Sequence, residues 1–292
     1  MEKAVKNFLV PFEPSFSLSK ASSMPPSTAP APEVLKQVSA DRIKEIGDLQ
    51  KVFFAAKQYS LLLIFQGLDA SGKDGSVREL LSGINPAGCL VTSFKQPTSI
   101  EMDHDFLWRA TNRLPGLGVI GVFNRSYYEE TLVVRVHPDI FPPWQQQQVK
   151  KEPRKFWQNR FETINAYEKH LALSRTIVIK FWLNLSKEEQ KKRFLIRLDQ
   201  PHHNWKFSPQ DIAERKFFAQ YQEVAQEMLR QTSTEYAPWY ALPADDKHYL
   251  HASIATIVSA KLKSLKLEYP KISANEKERF AEIRKMLLNE KK

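Results

Sequence analysis

From residue 59 onward the apolar positions of this chain alternate between two patterns. YSLLLIF (59–65) is apolar throughout, as a central strand covered on both faces should be, whereas SVRELLSGI (76–84) repeats its apolar positions at helical spacing. CLVTSF reads as a second strand, the stretch around EMDHDFLWRATNRL as a helix and GVIGVF as a third strand. Beyond them KEPRKFWQNRFETINAYEKHLAL is helical, TIVIKFWLNL is a strand and SKEEQKKRFLIRL is a charged helix. YALPA forms a short last strand, and Ile254, Ile257, Val258, Leu262 and Leu265 mark a closing helix. Upstream, Val34, Leu35, Val38, Ile43, Ile46 and Leu49 predict a helix within 33–58. Such alternation predicts one α/β domain over 33–292, a parallel sheet between helices with ligands at the carboxyl ends of the strands. Residues 1–32, rich in Ser, Pro and Ala, have no sustained apolar period and read as a flexible N-terminal arm.

Hydrophobic residues make up 42% of the 292, enough for a core of this size. Lys and Arg number 43 against 33 Asp and Glu, and the formal charge of +10 suits polyanionic partners or simply a basic surface. Cys89 stands alone, so no internal disulfide is possible, and it opens a strand-like stretch where a small buried residue fits. No apolar run approaches the roughly 20 residues of a membrane span, so the expected location is cytoplasmic and no membrane partner is expected.

Chemistry enters with GLDASGKDG, which follows the first strand directly. Gly67 and Gly72 allow a loop whose backbone N–H groups point at an anion, with Ala70, Ser71 and Gly75 in the cradle and Lys73 adding a point charge. The common pattern continues G-K with Ser or Thr, yet here the position is Asp74. A second station closes the third strand: VIGVFNRSYYEE has Asn124 where an acidic residue commonly orients Mg²⁺, followed by Arg125. A neutral amide cannot supply that charge, so a metal would be held elsewhere, by Asp69 first, with Asp74 and Glu129 behind it. The third station puts Arg193 and Arg197 on one helix face, with Lys206 beyond a proline-marked turn, as in a cation-bearing lid over 193–220 that closes on phosphates. His202 and His203 lack further ligand spacing and read as loop residues. Trp239 and Tyr240 read as core positions.

Together these stations resemble the family-2 polyphosphate kinases. The likeness runs from about Val34 to about Tyr269 and includes GLDASGKDG, the PAG-x4-SF-x-x-PT stretch, DFLWR, FNRSYYEE, RF-x2-R, NWKFSPQD and TSTEYAPWY. It implies a three-layer P-loop kinase fold like that of thymidylate kinases, with about five parallel strands and a helical lid. It also implies phosphoryl transfer between inorganic polyphosphate and nucleotides (AMP, ADP, ATP), with Mg²⁺ and Mn²⁺ as a substitute, in a homo-oligomer (dimer or tetramer). Residue by residue, Asp69 matches the loop carboxylate that holds metal and orients the acceptor phosphate, Lys73 the loop lysine, and Arg125 the arginine of the second motif. Arg193 and Arg197 fall in the lid. Arg109, Asn124 and Glu129 are assigned with Asp69 to the acceptor nucleotide. Many members have DRSWYNR where this chain has NRSYYEE. That departure resembles the family's third class, which is implied to phosphorylate both nucleoside monophosphates and diphosphates. Two alternatives stand beside this reading. One is an ATP-dependent nucleoside monophosphate kinase, against which the missing GK[ST] counts. The other is a non-catalytic polyanion or nucleic-acid binder, against which the aromatic residues count because most fall in core periods, so no nucleic-acid partner is expected.

Overall fold

The structure is a computed structural model that describes residues 1–13 and 15–290, with the side chains at 203, 205 and 206 outside the description. Its five strands are β1 (Ser60–Gln66), β2 (Cys89–Ser93), β3 (Ile120–Asn124), β4 (Thr176–Asn184) and β5 (Trp239–Pro243). All pair in parallel, in the order β2-β3-β1-β4-β5. From β1 the chain runs outward to β2, returns to β3 beside β1, and only then crosses to β4 on the other side. The direction of winding therefore reverses at β1, which opens a crevice at the carboxyl ends of β1 and β3. In the register Phe65 lies opposite Asn124, so Arg125 emerges level with Gln66, one residue before Gly67.

Burial explains why β1 carries no polar alternation. Leu62 and Ile64 face a cluster with Trp157, Phe161, Met228 and Trp239, while Leu61, Leu63 and Phe65 face another with Ile46, Phe53, Leu80, Ile254 and Val258. Both faces of the sheet are covered by helices, giving three layers. On one side pack helices Pro32–Ala56, Lys73–Leu81 and Lys247–Ser264; on the other pack Glu129–Val136, Pro153–Leu173 and Phe218–Thr232. Trp239 is wholly buried, its indole N–H donating to Thr232 Oγ1 at 2.9 Å. Helix Lys187–Asp199 follows β4, its first turn capped by Ser186, which accepts from the Glu189 N–H.

Two expectations need correction, and one helix had no counterpart among them. The helix expected around 101–114 is two single turns, Ser99–Met102 and Trp108–Thr111. Between them Asp105 accepts from the Leu107 N–H, a local bond that competes with helical continuation. The N-terminal arm is attached rather than flexible: Val5, Val10 and Leu18 are buried, the Val10 N–H donates to Trp239 O, and the Ala241 N–H donates to Phe8 O. These contacts cover the outer edge of β5, which would otherwise present unpaired backbone groups. Their apolar residues are too few and too irregularly spaced for periodicity to reveal. Finally, a helix that the sequence reading lacked spans Ala274–Leu288, opened by a capping box between Ser273 and Glu276.

Candidate active site

The loop that follows β1 is held from behind at four successive carbonyls. Lys73 Nζ donates to Gly67 O at 2.6 Å and to Leu68 O at 3.1 Å; Gln190 Nε2 donates to Asp69 O at 2.9 Å; Arg193 Nη1 donates to Ala70 O at 2.9 Å. With the carbonyls fixed, the peptide planes are fixed too, and their N–H groups are oriented with them. Gly67 (φ 152°) and Gly72 (φ 99°) supply conformations that side chains resist, and a Cβ on Gly67 would stand 2.8 Å from Ser71 Oγ. Ala70 (φ 64°) and Arg125 (φ 63°) occupy the left-handed region without that freedom, so each side of the crevice carries a strained residue, as do Lys57, Arg175 and Lys266 elsewhere. Gly75 has an ordinary helical setting, and a Cβ there would meet only His251 Nε2, at 4.0 Å.

Across the crevice Arg125 Nη2 donates to Asp69 Oδ1 at 2.8 Å, and Nη1 lies 3.8 Å from Glu129 Oε2. Burial alone would lower the Arg125 pKa, but the charges of Glu129, Asp69, Asp74 and Asp211 outweigh it and raise the value. Lys73 is the opposite case. Burial, reinforced by the Arg125 charge, pulls its ammonium down to about 8 despite the neighbouring carboxylates. Asn124 Nδ2 donates to Asp74 Oδ1 at 2.5 Å, joining the two positions at which this chain departs from the commoner phosphate-loop pattern.

The Arg125 turn is anchored from below by a buried network. The hydroxyls of Tyr127 and Tyr128 both donate to Glu168 Oε1, at 2.8 and 2.7 Å. Lys180 Nζ donates to Glu168 Oε2 (2.5 Å), to Tyr128 Oη (2.8 Å) and to Thr232 O (2.7 Å). Lys180 and Glu168 are both fully excluded from solvent, so each neutralises a charge that burial would otherwise make costly.

A cleft of about 1150 Å³ brings together Asp69, Ala70, Ser71, Gly72, Lys73, Asp74, Gly75, Asn124, Arg125, Arg193 and Arg197. Asp211, the last residue of NWKFSPQD, also lines it, as do Arg78, Lys95, Lys247, His248 and His251, which did not stand out in the sequence. Its seven Lys and Arg are nearly matched by six Asp and Glu, so it is not a uniformly basic channel. Three of those acids are committed to the framework, which leaves Asp69, Asp74 and Asp211 nearer the reacting end. Asp245 accepts from the Ser186 N–H, Asp246 caps the last core helix through the Tyr249 N–H, and Glu189 binds Arg193 Nε. Glu129 lines a smaller cavity of about 60 Å³ beside the cleft, with Trp182, Gln190, Arg215 and Tyr221.

Two sequence assignments, Arg109 and Arg193, sit differently in the structure. Arg109 is not brought to the cleft: it is buried, donates to Lys95 O at 2.9 Å, and lies over the Phe94 ring with its charge toward Glu101. Arg193 does line the cleft, but its guanidinium is spent on Ala70 O, Ala244 O, Asp245 O and Glu189. Arg197 faces Asp211 at 3.5 Å from the neighbouring helix Pro209–Glu214. The assigned side chain of Lys206 lies outside the described residues. Gln190 escaped the sequence reading, though it stands three residues before Arg193 on the same helix face, a spacing that could have drawn attention to it.

Among the described residues no three His, Cys, Asp or Glu side chains converge as a metal cluster, and no helix is long and apolar enough to cross a membrane. A divalent ion at this cleft would take most of its ligands from phosphates and water, as Mg²⁺ does at phosphoryl-transfer sites. The Asp69 carboxylate, about a third exposed beside the loop, fits that arrangement.

Comparison with known proteins gives a consistent result. The family described as Polyphosphate kinase 2 (PPK2) matches residues 33–270. An ADP-polyphosphate phosphotransferase of Rhodopseudomonas palustris is 45% identical over 247 residues, covering 85% of this chain and 86% of that protein. An AMP/ADP-polyphosphate phosphotransferase of Meiothermus ruber is 38% identical over 227 residues, covering 78% and 80% respectively. The crystal structure of Polyphosphate Kinase 2 from Arthrobacter aurescens TC1 superposes with a TM-score of 0.82 at 34% identity, covering 92% of this chain and 93% of that one.

Proposed function

Because this chain belongs to the polyphosphate kinase 2 family, we propose that it transfers phosphoryl groups from inorganic polyphosphate to AMP and to ADP, forming ADP and ATP. The observation that carries the reading is the Asp69–Arg125 pair at 2.8 Å, which sets a carboxylate and a guanidinium at the mouth of an anion-cradling loop. Phosphoryl transfer needs little covalent help from protein, so positioning and charge neutralisation supply most of the catalysis.

In this account the loop N–H groups hold the donor phosphates, and Lys73, keeping the Gly67 and Leu68 carbonyls with two of its N–H groups, offers the third to the transferred group. Arg125 neutralises charge on the side of β3, and Arg197 adds a cation from the lid over 193–220. Arg193 supports the loop that binds. Asp69, with Asp74 and Glu129 behind it, would hold a Mg²⁺ ion, which would supply positive charge against that of the phosphates. The acceptor phosphate oxygen attacks the terminal phosphorus of the chain; one phosphoanhydride breaks as one forms, so the transfer runs in either direction.

The test is to offer AMP and ADP separately to the purified protein, each with polyphosphate or with ATP as donor. Polyphosphate-supported phosphorylation of both acceptors is expected. Phosphorylation of AMP by ATP with none from polyphosphate would instead establish an ATP-dependent monophosphate kinase.

A further inference from the structure

Gln190 is 4% exposed and uses both ends of its amide. Its Nε2 donates to Asp69 O at 2.9 Å, and its Oε1 accepts from Arg215 Nη1 at 2.8 Å. Arg215 belongs to the turn 215–217 that directly follows helix Pro209–Glu214, and the same Nη1 donates to Lys187 O at 3.1 Å. One buried side chain thus touches the phosphate loop at the carbonyl of its key carboxylate residue and touches the segment beyond the cleft at a guanidinium. Glutamine suits this place, because it joins a donor and an acceptor at that reach and carries no charge into a buried position.

We infer that Gln190 is a positioning residue that couples the 209–217 segment to the phosphate loop: Arg215 fixes the Gln190 amide, which fixes the Asp69 peptide and through it the loop N–H groups. The inference rests on the phosphotransferase reading above. When the 209–217 segment is seated, Arg215 holds Oε1, the amide plane is set, and Nε2 points at Asp69 O. When it swings away, Oε1 loses its charged partner and the amide is free to rotate. The loop then loses one of its four carbonyl anchors. Catalytic alignment of the loop is thereby tied to closure, so a substrate that seats the segment also orders the groups that bind its phosphates.

The test compares Gln190→Met, Gln190→Glu, Arg215→Met and the double Gln190→Met/Arg215→Met variant with the wild-type protein, measuring kcat and KM for ADP with polyphosphate. Each single variant is expected to lose about tenfold in kcat with KM nearly unchanged, the scale of a buried hydrogen bond lost only in the aligned state. Gln190→Glu keeps the acceptor for Arg215 but sets an oxygen against Asp69 O, so it should fall as far as Gln190→Met. The double variant should be no slower than the slower single variant, since both break one chain of contacts. Losses that multiply in the double variant, a wild-type kcat in Gln190→Met, or rescue by Gln190→Glu would overturn the coupling. A second readout does not depend on turnover: amide hydrogen exchange across residues 69–72 with inorganic tripolyphosphate alone. Arg215→Met removes a side chain whose hydrogen bonds reach Lys187 O and Gln190 Oε1 rather than those peptides, so it should speed their exchange only through Gln190, and unchanged exchange would overturn the relay. If the wild-type protein transfers nothing from polyphosphate, the functional reading fails, while the exchange measurement still decides the coupling.

Discussion

Asn124 donates through Nδ2 to Asp74 Oδ1 at 2.5 Å, so the two positions that break the common phosphate-loop pattern are bonded to each other. The commoner arrangement puts a hydroxyl beside the loop lysine and a carboxylate at the end of β3. Here the carboxylate has moved to the loop and an amide faces it. Exchanging Asn124 for an acid without further change would set two carboxylates against each other, which only a cation or a proton could relieve.

Asn124→Asp should therefore add negative charge beside the incoming acceptor and penalise the acceptor that carries more of it. Like charges about 4 Å apart cost on the order of a few kcal/mol at an effective dielectric near 20. With screening by bound metal, the expected result is roughly a tenfold larger loss of kcat/KM for ADP than for AMP. Steady-state kinetics with both acceptors checks it, and equal losses would contradict it.

Lys73 sets a pH dependence whose sign follows from its surroundings. Burial pulls its pKa down to about 8, so in the free protein the ammonium is increasingly lost as pH rises through that value. A bound polyanion restores the charge, which means affinity for phosphate chains should fall above pH 8, by up to about tenfold per pH unit. Calorimetric titration with tripolyphosphate between pH 7 and 9.5 measures this. Lys73→Met serves as the reference, since the ligand's own titration is common to both proteins. Parallel pH profiles for the two would contradict the assignment. The same variant, like Asp69→Asn, should lose about 10²-fold or more in turnover while remaining folded.

The attached N-terminal arm makes a stability prediction. Val5, Val10 and Leu18 are each buried, and burial of one such side chain contributes about 1.5–3 kcal/mol. Deleting residues 1–25 should lower the melting temperature by roughly 10 °C or more, at about 2–4 °C per kcal/mol for a chain of this size. Thermal unfolding decides it; an unchanged melting temperature would mean that the arm is dispensable to the fold.

Beneath the Arg125 turn, Lys180→Met would strand the Glu168 carboxylate in the core and should cost about 3–5 kcal/mol in denaturant unfolding. Glu168→Gln added to it should recover part of that loss, because the stranded charge is gone. A double variant less stable than Lys180→Met would contradict the account.

How much of this was legible in the sequence depended on whether the signal was local. The five strands and the loop were readable because β1 is buried on both faces and Gly67 and Gly72 punctuate its end. Asp69, Lys73 and Arg125 converge because parallel pairing sets the ends of β1 and β3 level, which strand alternation already suggests. Arg109 was misplaced because its motif says nothing of depth: it lies beneath the cleft lining, holding Lys95 O over Phe94. The arm was missed because three widely spaced apolar residues carry no period. Gln190 was missed because its role comes from partners 121 and 25 residues away along the chain.

The central claim is that one active site carries AMP to ADP and ADP onward to ATP at the expense of polyphosphate. The direct measurement is a time course with the purified protein, Mg²⁺, polyphosphate and AMP, with no other kinase present, following all three nucleotides. ADP should rise and then decline as ATP accumulates. ADP that accumulates with no ATP formed, or AMP that is never consumed, would contradict the account.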